Sequence, residues 1–281
     1  MSESEKLFCK YSREATDDAG TEVIKLFLPV NEEYVNYNIV HSVSPARQCD
    51  TWRLSVVYLC DETLCRIRPL TRAGAEWEMA LKLQDRPDFV GGFAHGDEVC
   101  EKVELTVDGE RRVLENISDM TAFDELAFEV WSRGFDPSTP KTEALSHYKK
   151  FIVTRDGVRV EQRVEWLGDF ELGRSYMAML PPLKSETESY FSAADKISKP
   201  ICAKSDMSGC DRAVYLTGNT GVTFCMKVEK YISDTKGGID FFVSDNGGVP
   251  YNKVYFVLPH KGRARMGDVW NTVTHYSIQK S

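Results

Sequence analysis

The sequence lacks several features that would assign it to a familiar class of protein. It contains no apolar run near the roughly 20 residues that a membrane-spanning helix needs, and no run of lysine and arginine typical of a nucleic-acid-binding face. The net charge of -8 disfavours binding to nucleic acid or to an anionic membrane. The first residues lack the apolar core of a signal peptide, so we expect a cytoplasmic protein.

Motifs of the common cofactor-dependent and metal-dependent enzymes are also absent. There is no P-loop, no dinucleotide-binding glycine fingerprint, no His-Glu-x-x-His and no Gly-x-Ser-x-Gly. The 5 histidines are scattered, and none of the 8 cysteines forms a Cys-x-x-Cys pair. We therefore expect no cofactor and no metal site, and reduced cysteines packed in a core, with one or two disulfides as the alternative in an oxidising compartment.

What the sequence does contain is a series of strands and tight turns. Side chains alternate between apolar and charged from Val99 to Val107 and from Val158 to Trp166, as in strands with one buried face. Asp108-Gly109 and Asp156-Gly157 favour hairpin turns. We predict a mostly β protein, an antiparallel β-sandwich of jelly-roll type with one short helix. We expect one domain over residues 1–281, with a subdivision near 181–200 as the alternative.

Two segments depart from the strand pattern. Ser118 or Asp119 can cap a helix that ends at Gly134, because apolar residues recur between them at helical spacing: Phe123, Leu126, Ala127, Val130 and Trp131. The stretch from Pro181 to Pro200 is richer in serine, lysine and glutamate. It predicts a long loop, or a short helix from Glu186 to Asp195.

The first candidate site is the glycine-flanked cluster His95-Gly96-Asp97-Glu98, which precedes the Val99–Val107 strand. If that strand extends back without a bulge, His95 and Asp97 share a face with Val99. An imidazole can exchange a proton near neutral pH, and a nearby carboxylate can orient it. The alternative is a polar turn with a solvated histidine.

Three other segments add candidates. His147 to Lys150 is either a basic-aromatic strip for an acidic ligand or an edge strand protected by lysines. In an extended Gly173–Pro182 segment, Arg174 and Tyr176 share one face and two methionines the other. Between Tyr251 and Tyr276, aromatic side chains either stack on sugar rings or fill the core.

Four segments together give the chain a distant resemblance to the concanavalin-A-like and jelly-roll β-sandwiches of polysaccharide lyases and glycosidases. They are Gly92–Glu98, the Tyr148–Trp166 hairpin, Tyr176–Pro182 and Tyr251–Tyr276. The Glu-x-Asp-x-x-Glu signature of one large glucanase group is absent, which disfavours a retaining glucanase. The resemblance implies a carbohydrate-active protein whose partner is an oligosaccharide or polysaccharide.

The function we favour from the sequence is cleavage of a uronate polysaccharide by β-elimination. The reaction needs a base, a group that neutralises the uronate carboxylate, and an acid at the leaving oxygen. We assign His95 as the base, Arg174 with Lys149 or Asn252 as the neutralising groups, and Tyr176 or Tyr255 as the acid. The substrate-binding residues are expected to be Asp97, Glu98, Lys149, Asn252, Trp270 and Tyr276.

Two other functions fit the same residues. A non-catalytic glycan-binding or structural module would hold a sugar through Trp270, Tyr276 and Tyr255. A glycoside hydrolase would use Asp97 or Glu98 with a second carboxylate. The sequence does not predict the oligomeric state.

Overall fold

The computed structural model describes residues 6–16, 20–72, 77, 79–203, 206–208, 211–231, 240–245, 247–257 and 262–280. Strands of the first half are β1 (Leu7–Ser12), β2 (Gly20–Val30), β3 (Glu33–Ser44), β4 (Cys49–Leu54), β5 (Tyr58–Cys60), β6 (Arg66–Pro69), β7 (Leu81–Lys82), β8 (Phe89–Val90), β9 (Glu98–Val107), β10 (Glu110–Arg112), β11 (Thr121–Phe123) and β12 (Leu126–Asp136). Strands of the second half are β13 (Thr139–Thr154), β14 (Gly157–Trp166), β15 (Phe170–Glu171), β16 (Tyr176–Leu180), β17 (Ser189–Ser192), β18 (Lys199–Pro200), β19 (Asp206–Ser208), β20 (Ala213–Thr217), β21 (Val222–Lys230), β22 (Asp240–Asp245), β23 (Asn252–Val257), β24 (Arg263–Ala264) and β25 (Val269–Lys280). A short α-helix, α1 (Gly92–His95), and two 3₁₀ turns (Pro45–Arg47 and Leu114–Ile117) complete the described elements.

Two antiparallel layers form a sandwich. The first layer contains β1, β2 and β3 with β4, β5, β6 and β11, and the second runs in the order β10-β9-β12-β13-β14-β25-β21-β20-β17-β18. The layers join at one parallel bridge, between Asp50 of β4 and Val99 of β9. Trp52 of the first layer meets Phe128 of the second edge-on, with ring centres 5.0 Å apart. The predicted fold class, a mostly β antiparallel sandwich, is confirmed.

The inner faces of the two layers supply a continuous core, because successive side chains of a strand point to opposite sides. Leu26 and Tyr37 of the first layer and Phe151 and Val160 of the second all belong to it. The same cluster extends from Leu7 to residues of β25. The division into domains stays a prediction.

A third sheet, which we call the small sheet, has the order β16-β23-β22-β19. One of its faces, with Phe241 and Phe256, belongs to the main core. The other face carries a separate apolar cluster that includes Met179, Phe242 and Tyr255. Two further two-stranded sheets pair β7 with β8 and β15 with β24. None of the described helices has the length and apolar character needed to cross a bilayer.

The predicted helix between Ser118 and Gly134 is wrong, because this segment forms β11 and most of β12. Leu126, Phe128 and Val130 are fully buried and alternate with the less buried Glu129 and Trp131. The apolar residues therefore fit a period of two as well as the helical spacing. Their aromatic and β-branched character favours the strand, and pairing with β9 and β13 on both sides fixes it.

The Pro181–Pro200 stretch is also more regular than predicted. It contains β17 and β18, which pair with each other, and β17 also pairs with β20. No helix forms from Glu186 to Asp195, a segment described throughout. Glu186 is buried, and both of its carboxylate oxygens accept hydrogen bonds from Arg68, at 3.0 and 3.3 Å.

The cysteines of the described residues are free thiols; Cys9, Cys49, Cys60 and Cys225 are buried as predicted, whereas Cys65 and Cys202 are exposed and Cys100 is partly exposed. Burial raises the pKa of Cys9 and of Cys49 to about 12, and that of Cys60 to about 11. Thiols with such values are unreactive near neutral pH because the thiolate is the reactive form. Cys210 lies outside the described residues.

The Asp108-Gly109 turn forms as predicted, whereas the second hairpin turns at Arg155-Asp156 and Gly157 is the first residue of β14. Gly157 has φ +134°, and a Cβ there would lie 2.2 Å from the Tyr276 carbonyl oxygen. Gly109, between β9 and β10, has φ +78° with no atom within 4 Å of a Cβ.

We expect Gly109→Ala to lower the free energy of unfolding by about 1–2 kcal/mol, because of the left-handed conformation alone. Gly157→Ala should cost clearly more, because it adds a clash with backbone. Urea unfolding of the two variants measures the difference, and equal losses would contradict it.

Candidate functional site

A line of aromatic rings and cations runs from α1 across the face of the small sheet that points away from the main core. It combines residues from β7, β8, α1, β16, β22 and β23 with Arg174 of the segment that precedes β16. We call it the aromatic-cationic strip, and its members are Lys82, Phe89, His95, Arg174, Tyr176, Phe242, Lys253 and Tyr255.

Ring contacts hold the strip together. The ring centres of His95 and Phe89 are 4.6 Å apart, and those of Phe89 and Tyr176 are 6.4 Å apart. Tyr176 lies 4.6 Å from Tyr255, which meets Phe242 edge-on at 5.0 Å. These spacings are typical of attractive aromatic pairs. The structure therefore brings three of the predicted catalytic residues, His95, Tyr176 and Tyr255, into one connected cluster.

The fourth predicted catalytic residue, Arg174, belongs to the same cluster. Its guanidinium carbon lies 4.8 Å from the ring centre of Phe242 and 5.8 Å from that of Tyr176. Lys82 Nζ lies 5.3 Å from the Phe89 ring centre and Lys253 Nζ 5.6 Å from that of Tyr255. Cations over aromatic faces present positive charge beside flat apolar surface. Such a surface suits a ligand that combines carboxylates with sugar rings.

Local backbone contacts fix the segment that carries Arg174 and the start of β16, where Tyr176 lies. Ala80 and Tyr176 exchange two backbone hydrogen bonds of 2.9 Å. The buried Ser175 hydroxyl accepts a bond from the Lys82 N–H at 2.8 Å. A register shift between Tyr176 and Ala178 then places Tyr176 and Met179 in the same cluster. The predicted separation of Tyr176 from both methionines is therefore wrong for Met179, because a bulge breaks the alternation.

At the other end of the strip, two glycines bracket the helix that carries His95. Gly91 has φ +100° and Gly96 has φ +88°, conformations that other residues rarely adopt. A Cβ on Gly96 would lie 2.6 Å from the Arg47 carbonyl oxygen, so the chain passes close to the 3₁₀ turn. The two glycines that flank α1 therefore allow the chain to form a tight helical turn before β9, where the sequence analysis considered a backward extension of the strand.

His95 is a third exposed and lines a pocket of about 560 Å³ together with Asp88, Asp97 and Arg47. Its Nδ1 lies 2.9 Å from Asp88 Oδ1. A carboxylate only accepts hydrogen bonds, so in the neutral imidazole Nδ1 carries the proton and Nε2 has the lone pair that can act as a base. Burial, together with the carboxylates of Asp88 and Asp136, raises the pKa of Asp97 above its ordinary value.

Glu98 and Lys149, predicted to bind substrate, instead lie inside the sandwich with exposures of 1% and 0%. Glu98 Oε1 lies 3.0 Å from His147 Nδ1 and 3.4 Å from Lys149 Nζ. His147 Nε2 lies 3.2 Å from Gln162 Oε1. We call these four residues the buried ion cluster. Burial alone would raise the pKa of Glu98, but Lys149 and His147, with the Gly92 N–H, hold it well below its usual range.

The buried ion cluster is connected to both ends of the strip. Gly92 N–H, at the start of α1, donates to Glu98 Oε2 at 3.1 Å. Gln162 Nε2 donates to the carbonyl oxygen of Met177, next to Tyr176, at 2.9 Å. Glu98 and Lys149 therefore have the geometry of positioning residues rather than of substrate contacts.

Two sequence interpretations of this region are corrected by the strand pairing. Trp131 pairs with Lys102 and Ser132 with Cys100, so Glu101 is an extra residue in β9. This bulge puts Glu98, rather than His95 and Asp97, on the inner face. The second correction concerns the edge strand proposed for His147 to Lys150. β13 is central, paired with β12 and β14, and its inward Lys149 donates to the Trp52 carbonyl oxygen at 2.7 Å.

The remaining predicted contacts lie apart from the strip. Asn252 is 2% exposed and its amide donates to Thr187 Oγ1 at 2.9 Å. Trp270 packs edge-on against Trp166 with ring centres 5.0 Å apart. Tyr276 is 2% exposed, and its hydroxyl donates to the Trp77 carbonyl oxygen at 2.7 Å. Trp270 and Tyr276 of the C-terminal segment therefore pack against the core, the second of the two alternatives that the pattern allowed, whereas Tyr255 belongs to the strip.

Sequence reasoning missed several members of the strip. Phe89 and its neighbour Asp88 were visible beside the His95 cluster, and Phe242 belongs to an alternating strand. Lys82 and Lys253 carry no local signal, because their role depends on rings contributed by distant segments. Within the described ranges, no group of three or more histidine, cysteine, aspartate or glutamate side chains is arranged to hold a metal ion.

Comparisons with known proteins give only remote similarities. No protein-family model and no curated protein matches the sequence. A heparan sulfate lyase HepC from Pedobacter heparinus is 12% identical with a TM-score of 0.46, over 95% of this chain and 36% of that chain. A 4-alpha-glucanotransferase from Thermococcus litoralis is 8% identical with a TM-score of 0.44, over 90% of this chain and 37% of that chain. A putative aldose 1-epimerase from Escherichia coli K12 is 10% identical with a TM-score of 0.45, over 91% and 98%.

The chain thus spans about a third of the length of the lyase and of the transferase that it resembles. Identities and TM-scores this low give no information on activity. The assignment of function depends on the side-chain geometry alone.

The buried ion cluster leads to a prediction about stability. Glu98→Gln removes the carboxylate that lies 3.4 Å from the buried Lys149 ammonium, so we expect a loss of about 3–5 kcal/mol in the free energy of unfolding. Glu101→Gln is the matched control, because Glu101 is half exposed and pairs with Arg133 at 3.2 Å, and it should cost at most about 1 kcal/mol. Urea unfolding measures both.

Acid should weaken the interaction between Glu98 and Lys149. The pKa of Glu98 is lower in the folded protein than in the unfolded chain. The contribution of Glu98 to the free energy of unfolding is therefore complete above the ordinary glutamate pKa of about 4.3. It is lost as the pH falls from there towards the lowered value. The stability gap between the parent protein and Glu98→Gln should therefore narrow below about pH 4. A gap that stays constant on acidification would contradict a charged Glu98.

Proposed function

We propose that this protein binds an acidic polysaccharide along the aromatic-cationic strip and cleaves it by β-elimination. The observation that carries the proposal is the convergence of His95 of α1, Arg174 of the segment before β16, Tyr176 of β16 and Tyr255 of β23 into one contact cluster. These residues are far apart in sequence. Their meeting supplies a base, a cation and phenols, which are the groups that the elimination needs.

Binding uses both components of the strip. The partly exposed rings of Phe89 and Tyr176 offer flat apolar surface for pyranose rings, and the buried ring of Tyr255 packs against Tyr176. Arg174, Lys82 and Lys253 provide positive charge at intervals along those rings. A guanidinium binds a carboxylate through two parallel hydrogen bonds, so Arg174 suits the uronate at the reacting sugar. These local cations allow a chain of net charge -8 to bind a polyanion.

The chemical step is a proton transfer coupled to loss of a glycosidic oxygen. Nε2 of His95, freed by the Asp88 contact at Nδ1, takes the proton from the carbon next to the uronate carboxylate. The electron pair of that C–H bond forms a carbon–carbon double bond as the bond to the leaving oxygen breaks. The Tyr176 phenol donates its proton to that oxygen, with Tyr255 beside it as the other phenol of the cluster.

The alternatives weighed from the sequence have less support. Glu98 contacts His147, Lys149 and Gly92 in the interior and is 1% exposed, which argues against it as the acid of a hydrolase. Trp270 and Tyr276 pack against core tryptophans, which argues against a binding module built on those two rings. Asp97 lines the pocket beside His95, where its carboxylate is available for contacts to sugar hydroxyls.

A panel of uronate polysaccharides (polygalacturonate, alginate, hyaluronan and heparan sulfate) tests the proposal. We expect one of them to give the ultraviolet absorbance of an unsaturated uronate product. His95→Gln can still donate a hydrogen bond to Asp88 but cannot act as a base. It should lower the rate by at least about 100-fold while binding persists.

Arg174→Ala should weaken binding of the same polysaccharide by at least about tenfold, in a manner that depends on salt. Arg111→Ala is the control, since Arg111 is an exposed arginine that pairs with Glu104 outside the strip. Binding without product from any polysaccharide would overturn the elimination. Binding unaffected by Arg174→Ala would overturn the site.

A further inference from the structure

A second groove lies on the outer face of the second layer, across β9, β12, β13 and β14. Its volume is about 610 Å³. Its lining includes Glu129, Trp131, Arg133, Tyr148, Arg163 and Glu165, and we call this site the outer groove. It shares no residue with the aromatic-cationic strip.

Strand register explains how the outer groove forms. Trp131 of β12 is directly opposite Tyr148 of β13, and Tyr148 is opposite Arg163 of β14. Side chains of neighbouring positions alternate, so the inward His147 and Lys149 leave Tyr148 on the outer face. Three adjacent strands therefore present a row of aromatic and charged groups at one level of the sheet.

The centre of the row is an aromatic pair. The rings of Trp131 and Tyr148 are 5.2 Å apart at an angle of 50°, and both side chains are half-buried. Lys102 Nζ lies 4.6 Å from the Trp131 ring centre. Two tilted rings held on rigid, centrally placed strands form a stacking surface whose orientation is fixed before any ligand binds.

Polar groups around the rings are already oriented by one another. The Tyr148 hydroxyl donates to Glu129 Oε2 at 2.5 Å. Arg163 donates to Glu165 at 2.9 Å, and Arg133 donates to Glu101 at 3.2 Å. Each of the two arginines therefore faces a glutamate of the same surface, and Glu129 adds a further carboxylate. The outer groove has no surplus of positive charge, in contrast to the strip.

The balance of positive and negative charge in the outer groove favours an uncharged ligand. Lys150 faces Glu129 and Lys102 faces Glu104, so a polyanion would meet carboxylates together with cations that are already paired, and like charges disfavour its approach. A neutral sugar instead offers hydroxyl groups that donate to carboxylates and accept from guanidinium groups, and ring faces that stack on aromatic side chains. The preferred occupant is an uncharged oligosaccharide.

We propose that the outer groove is a second glycan-binding site, which takes a neutral oligosaccharide stacked on Trp131 and hydrogen-bonded to Glu129 and Arg163. It is independent of the acidic-polysaccharide site, because the two sites differ in their residues, their charge and the sheet on which they lie. A protein with both sites would hold two chemically different segments of a mixed glycan at once.

Calorimetric titration of the full chain with neutral hexasaccharides tests the proposal, with the α-1,4-glucan, β-1,3-glucan, β-1,4-xylan and chitin series as probes. We expect at least one series to bind. Trp131→Ala should weaken that binding by at least about tenfold, the loss expected when one stacked ring is worth about 1.4 kcal/mol. Arg163→Ala should weaken it as well, and because Arg163 is exposed, this variant tests the site even if Trp131→Ala fails to fold.

Arg174→Ala, in the strip, should leave neutral-glycan binding unchanged and is the matched control. Three results would overturn the proposal: no neutral oligosaccharide binds, binding is the same in Trp131→Ala and Arg163→Ala as in the parent protein, or only acidic oligosaccharides compete for the outer groove. Loss of neutral binding with retained acidic-polysaccharide cleavage in Arg163→Ala would support it and separate it from the function of the strip.

Discussion

The Glu98–Lys149 ion pair is the interaction on which the arrangement of the candidate site depends. Removing a carboxylate and an ammonium from water costs several kcal/mol for each ion, and their attraction offsets this only when further hydrogen bonds satisfy both groups. Here Glu98 receives the Gly92 N–H and contacts His147, while Lys149 donates to the Trp52 carbonyl oxygen in the opposite layer. The pair therefore requires α1, β13 and β4 to be in place at the same time.

Such a requirement matters for the strip because its residues come from short elements. α1 has four residues and β16 five, and neither length gives a stable conformation by itself. Both are connected to the buried ion cluster, α1 through Gly92 and β16 through the bond from Gln162 to the Met177 carbonyl oxygen. The polar groups inside the sandwich thus connect the helix that carries His95 to the strand that carries Tyr176, although neither Glu98 nor Lys149 belongs to the strip.

The sequence predicted those parts of the structure that depend on neighbouring residues. Strand alternation from Val158 to Trp166 and the Asp108-Gly109 turn need no distant partner, and both are confirmed. The apolar residues from Leu126 to Trp131 fit both the helical spacing and the strand period of two, and only the pairing of this segment with β9 and β13 decided in favour of a strand. The Glu101 bulge and the contact of Phe89 with Tyr176 have no local signature, because the register of one strand against another produces them. His95, Arg174, Tyr176 and Tyr255 could be proposed by residue type, but Glu98 and Lys149 could not be placed inside.

The alternation of side chains along β13 lets the protein place the buried ion cluster and the outer groove on opposite faces of the same strand. On β13, Lys149 points into the buried ion cluster and Tyr148 points into the outer groove, one residue apart. A helix would distribute the same residues around a cylinder, whereas a central strand assigns them to opposite faces with no intermediate position. Changes on the outer face therefore leave the ion cluster intact as long as the register holds. A shift of β13 by one residue would bury Tyr148 and expose Lys149 together, which couples the integrity of the buried ion cluster and of the outer groove to the same set of backbone hydrogen bonds.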